Sequence, residues 1–149
     1  MFRTLLWLAS VAGALMSETP ARAECAGTLS GAVRASFKCN VELRYRENKR
    51  VTYLAITVRE LPAGLKALMP AGGMIKGKPQ KKSYDEKSIE EASTSVVTTD
   101  GKNFLGKTVK VTFTSVEPEG KRGFKVTGTV SGTARNLDGK GEVKVQVKF

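Results

Sequence analysis

The chain has 149 residues, with 25 lysines and arginines, 14 aspartates and glutamates, no histidine, and a formal net charge of +11. This length suits one domain, which can bury roughly two-thirds of its unfolded surface without a metal. The missing histidine excludes a Ser-His-Asp triad, a Cys-His dyad and an imidazole metal site. We therefore expect no enzyme and no cofactor, and a function in binding.

The first 23 residues have the three parts of a secretory signal: a basic start, an apolar run and a small-x-small end. Arg3 is the basic residue, residues 5–16 are the apolar run, and Ala21-Arg22-Ala23 precedes the predicted cleavage site. The run is too short for a membrane-spanning helix, which needs about 20 residues. We predict a signal peptide at 1–23, a single β domain at 24–149, and a periplasmic or extracellular location.

Cys25 and Cys39 are the only cysteines, and an exported chain meets an oxidising environment. We expect a disulfide between them, worth roughly 3 kcal/mol in the chain-entropy model. One straight strand would separate their Cα atoms by roughly 46 Å, whereas a disulfide tolerates about 7 Å. Either the chain turns back near Gly31, which we favour, or the two cysteines do not pair with each other.

Alternation of apolar and polar residues predicts β-strands along most of the chain. Odd positions are mostly apolar from Leu29 to Tyr45, and the phase then shifts for a strand around 54–58. Asp100-Gly101 and Asp138-Gly139 are typical of turns between antiparallel strands. Further strands are predicted at 93–99, 108–117, 124–134 and 142–149.

Prolines and glycines interrupt this pattern at residues 61–83. We predict a long loop from Met69 to Lys82, of a length that is often functional, with Met74 and Ile75 beside four lysines as a contact surface. The alternative is that Met74 and Ile75 belong to a short edge strand packed on the core.

Ser83-Tyr84-Asp85-Glu86 matches a helix capping box and predicts a short helix from Tyr84 to about Ala92. The predicted fold class is therefore all-β: an antiparallel β-sandwich or open barrel of about seven strands, with one short helix.

Basic residues cluster around three predicted connections and form the candidate polyanion-binding set. Charge of this density attracts anionic polysaccharide, lipopolysaccharide or a membrane surface, and the alternative is ordinary solvation of the protein surface. Most aromatic residues fall in the apolar phase, apart from Tyr53 and an expected loop residue, Phe104, so sequence-specific nucleic-acid binding is not expected. The candidate residues are Arg44, Arg46, Lys76, Lys78, Lys81, Lys82, Lys121 and Arg122.

The sequence predicts an exported, non-catalytic binding module for anionic envelope components or polyanions. The alternative is a protein-interaction or assembly domain that uses an exposed strand edge or the 69–82 loop, with no partner protein indicated. A third possibility is a ligand-holding barrel, or an enzyme, whose site the sequence does not reveal.

Overall fold

The structure of the protein, a computed structural model, describes residues 22–121 and 123–149. The predicted signal peptide lies outside these residues, except for its last two positions, which begin the first strand. Nine strands follow one another in the described chain: β1 (Arg22–Gly31), β2 (Ala35–Arg46), β3 (Val51–Val58), β4 (Leu65–Lys76), β5 (Ser83–Tyr84), β6 (Ile89–Thr98), β7 (Asn103–Glu119), β8 (Gly123–Asn136) and β9 (Glu142–Lys148).

Eight of these strands form a closed antiparallel barrel, in the order β7-β6-β4-β3-β2-β1-β9-β8 with β8 returning to β7. The ring closes at β9, because Val147 pairs with Gly27 of β1 on one side and with Val130 of β8 on the other. The short strand β5 also pairs with β7, where Ser83 and Tyr84 lie opposite Thr112 and Val111. The all-β, antiparallel prediction is confirmed, while the sandwich or open barrel of seven strands is replaced by a closed ring of eight.

The predicted turn dipeptides lie where two hairpins need them. Asp100-Gly101 joins β6 to β7, and Asp138-Gly139 joins β8 to β9. Both glycines have φ of 91°, which is the left-handed region that glycine adopts without a steric penalty. These local signals therefore placed two of the connections correctly.

The chain turns back at residues 32–34, and this brings the two cysteines together. Cys25 and Cys39 are directly opposite partners on β1 and β2, and they form a disulfide with a Cα–Cα distance of 4.8 Å. The disulfide prediction is confirmed, and the bond is compatible with an oxidising, exported location.

The predicted helix from Tyr84 to Ala92 is wrong. Tyr84 belongs to β5, and its ring is buried edge-on against Phe113. The Asp85 carboxylate accepts hydrogen bonds from the Lys87 amide and the Ser88 hydroxyl, which closes a turn rather than capping a helix. The same side-chain chemistry serves both structures, so the capping pattern alone was ambiguous.

The predicted loop from Met69 to Lys82 is also wrong over most of its length. Met69 to Lys76 are the second half of β4, which pairs with β3 on one side and β6 on the other, and only 77–82 is a loop. The interruptions mark register shifts against β6, between Met69 and Gly72 and again after Gly72, where strands accept proline and glycine. Ile75 is buried in the core as the alternative predicted, although β4 is not an edge strand.

The core fills the barrel interior with alternate residues from every strand of the ring, mostly Val, Leu, Ile and Phe. Phe104, expected in an exposed loop, is 1% exposed, because β7 begins at Asn103 rather than at 108. None of the described residues forms a helix long and apolar enough to cross a membrane.

Candidate functional site

Seven of the eight predicted polyanion-binding residues lie at one end of the barrel, and Arg122 lies outside the described residues. This end, which we call the upper end, carries the β2–β3 turn at 47–50, the loop 77–82, and Gly120 and Lys121, which follow the end of β7. We call the set Arg44, Arg46, Lys76, Lys78, Lys81, Lys82 and Lys121 the basic rim. Topology thus gathers three sequence clusters at one end of the molecule.

Most cations of the basic rim are already engaged by neighbouring side chains. Two lie within ion-pair distance of glutamates and three lie over tyrosine rings, and each such contact at an exposed site contributes about 1 kcal/mol or less. The contacts are Arg44–Glu42 at 3.2 Å, Lys76–Glu90 at 3.7 Å, Arg46 over Tyr53 at 5.4 Å, Lys78 over Tyr45 at 5.6 Å, and Lys82 over Tyr84 at 4.9 Å.

A groove of 1060 Å³ lies on the outer face of β2, β1, β9 and β8, beside the β3–β4 loop at 59–63. Lys38, Ala26, Lys148 and Thr129 are successive cross-strand partners and form one row across its floor. Neighbouring strands are about 4.8 Å apart, so the Lys38 and Lys148 backbones stand about 10 Å apart with Ala26 between them. We call this feature the lysine groove.

The two floor lysines of the lysine groove are free of acidic partners. Across the described chain, no carboxylate lies within 4.0 Å of either ammonium group. Glu60 is the one carboxylate that lines the groove, together with a third cation, Arg59. The groove therefore offers two uncompensated positive charges on a rigid sheet, which favours an anionic ligand.

A second row of the floor is neutral and polar. Ser36, Thr28 and Gln146 are partners across β2, β1 and β9, and all three line the groove. Hydroxyl and amide groups donate hydrogen bonds to phosphate or carboxylate oxygens. The floor thus combines two cations with neutral donors, the chemistry that recognises an anion.

Arg59 fixes the loop that forms the wall of the groove. Its amide donates to the Lys38 carbonyl at 2.9 Å, and its guanidinium donates to Asn40 Oδ1 at 3.1 Å and to Glu24 Oε1 at 2.6 Å. At the other end of the loop, the Thr99 amide donates to the Gly64 carbonyl. The wall is therefore attached to the barrel at both ends and lies beside the lysine row.

The described residues of the groove present ammonium, hydroxyl and amide groups, which are the groups that suit an anion. Within 22–121 and 123–149, no three His, Cys, Asp or Glu side chains are placed to hold a metal ion. Neither Lys38 nor Lys148 is among the site residues that the sequence predicted. The alternation placed both side chains outward, but the register that sets them in one row depends on which strands pair.

An apolar patch lies elsewhere on the outer surface, towards the lower end of the barrel. Met69 and Leu105 both pair with Ser95 of β6, so they flank it on the same row, and the Leu137 amide donates to the carbonyl of Asn103. The three large apolar side chains are 40%, 50% and 62% exposed in that order. We call Met69, Leu105 and Leu137 the leucine patch.

Fold and groove together define a small closed antiparallel barrel with a cationic groove on its outer face. No protein-family model, curated protein or solved structure matches the chain.

Proposed function

We propose that the protein is an exported, non-catalytic binding module for anionic components of the cell envelope, and that it binds them in the lysine groove. The observation that carries the proposal is the row in which Lys38 and Lys148 flank Ala26 without a carboxylate partner. The signal-like leader supports export to the periplasm or the cell exterior, where phosphorylated and acidic glycans are exposed.

Binding to polyphosphate at increasing salt concentration tests this proposal. Two lysines that contact the anion contribute about 2 to the slope of log affinity against log salt. The double variant Lys38→Ala/Lys148→Ala should bind about ten-fold more weakly at low salt, with a shallower slope.

Two further double variants control for net charge and for location. Lys66→Ala/Lys107→Ala removes the same charge from exposed positions outside the groove and should leave affinity within about two-fold. Lys81→Ala/Lys121→Ala removes it from the basic rim. If the rim variant loses binding and the groove variant does not, the site belongs to the rim and the groove assignment is overturned.

A second candidate function, self-assembly, is favoured by the leucine patch. Exposed apolar side chains on the outer face of a sheet suit face-to-face packing of two sheets, and a second copy of this chain presents the same surface. Because each copy is positively charged, salt would screen their repulsion and strengthen self-association, whereas it weakens anion binding. Light scattering checks this: a strict monomer at every salt and protein concentration would contradict it.

A further inference from the structure

The wall of the lysine groove is apolar where it faces the floor. Leu61, at 44% exposed, is among the most exposed large apolar side chains of the described residues. Pro62 and Ala63 follow it in the same wall, and Ala26 lies on the floor. An exposed apolar wall therefore lies beside two ammonium groups that have no ion-pair partner. The ammonium groups suit an anion, and the wall suits a hydrocarbon chain.

We propose that the natural ligand of the groove is an anionic amphiphile rather than a free anion or an acidic polymer. Its phosphate or carboxylate headgroup lies over Ala26, between Lys38 and Lys148, and its alkyl chain lies against Leu61 and Pro62. This inference rests on the proposed function, because it uses the same two lysines for the headgroup. A groove volume of 1060 Å³ leaves room for more of a ligand than its phosphate or carboxylate group.

The charge distribution of the groove supports a ligand with one charged end. Glu60 lies in the wall segment, and a second anionic group placed there would be repelled by its carboxylate. The Arg59 guanidinium does not offset this, since it is already bound to Glu24 and Asn40. A polymer with charges along its length meets this repulsion, whereas an uncharged alkyl chain does not.

Calorimetric titration with alkyl phosphates below their micellar concentration tests the inference. Affinity should increase from octyl to decyl to dodecyl phosphate, because each added methylene is removed from water. Leu61→Ser should weaken dodecyl phosphate binding about five-fold and leave polyphosphate binding unchanged. Leu61→Met is the matched control: it keeps an apolar side chain of similar volume at the same position, so it should retain dodecyl phosphate binding that Leu61→Ser loses.

The outcomes separate this inference from the proposed function. If polyphosphate binding depends on Lys38 and Lys148 but alkyl phosphates show no dependence on chain length, the amphiphile is overturned and anion binding stands. The same holds if Leu61→Ser leaves dodecyl phosphate affinity unchanged. If Lys38→Ala/Lys148→Ala binds both ligands as well as the unaltered protein, both proposals fail. The chain-length series uses the unaltered protein, so it decides the matter even where a variant folds poorly.

Discussion

Gly27 and Phe37 lie directly opposite each other on β1 and β2, and the Phe37 ring fills the space where a Gly27 side chain would stand. A Cβ atom built on Gly27 would lie 2.3 Å from Cζ of the ring and 2.5 Å from Cε2. The same Cβ would lie 3.0 Å from the Gln146 carbonyl oxygen, a backbone atom that cannot rotate away, and the buried Phe37 ring would have to shift. Gly27 is therefore required by close packing.

Gly27→Ala should lower the free energy of unfolding by about 1–3 kcal/mol, because the ring or the strand must shift to admit the methyl group. Urea denaturation measures the loss. Gly72→Ala is the matched control: Gly72 also lies within a strand, and its added Cβ would meet its nearest neighbours at an ordinary 3.7 Å. Equal losses in the two variants would contradict the packing argument.

The disulfide lies two residues further along the same pair of strands, between Cys25 and Cys39. Reduction should lower the free energy of unfolding by about 3 kcal/mol, mainly because the unfolded chain regains the freedom of the closed loop. Denaturation with and without a thiol reductant measures this, and Cys25→Ala/Cys39→Ala should be insensitive to reductant. Identical urea midpoints for the oxidised and reduced protein would refute the prediction.

Phe104 and Leu105 are sequence neighbours on opposite faces of β7, at 1% and 50% exposed. Phe104→Ala should lower the free energy of unfolding by about 3–5 kcal/mol, since it leaves a cavity in the barrel. Leu105→Ala should change it by about 0.5 kcal/mol or less, since its side chain already contacts water. Thermal and urea unfolding of the two variants measure both values, and similar losses would place Phe104 outside the core.

Period-two alternation predicted the all-β fold class because it reports a local property, the alternation of side chains between the two faces of a strand. Asp100-Gly101 and Asp138-Gly139 predicted their turns for the same reason. The helix at 84–92 and the loop at 69–82 failed where a local pattern fits two structures. Asp85 can cap a helix or close a turn, and Gly72 can lie in a loop or at a bulge within a strand.

Local sequence patterns could not predict that the barrel closes or that the lysine groove forms. Lys38 and Lys148 are separated by most of the chain, and they share a row only because β1 pairs with both β2 and β9. The basic residues of the rim were predicted because they are close together in the sequence. In the fold, several of them lie beside glutamates or over tyrosine rings. Density of charge therefore predicts an anionic ligand, whereas the surface that we propose for it depends on which strands pair.

The stability of the β6–β7 turn depends on pH through the Asp100 carboxyl group. The Thr98 hydroxyl donates a hydrogen bond to its carboxylate, and this bond, with a smaller contribution from the Lys102 charge, holds the pKa of Asp100 below its ordinary value. The carboxylate form is thus favoured by folding, and the resulting stability is present above the ordinary pKa of about 3.9. It is lost as the pH falls through the lowered folded-state pKa.

Titration of the Asp100 carboxyl carbon by NMR, between about pH 6 and pH 2 to bracket its ordinary pKa, measures this shift. Thr98→Val removes the largest cause and should raise the pKa of Asp100 towards its ordinary value, because a methyl group cannot donate a hydrogen bond. Lys102→Ala should raise it less, since the lysine acts only through its charge at the exposed surface. If Lys102→Ala has the larger effect, the turn is held by charge attraction and not by the threonine hydroxyl.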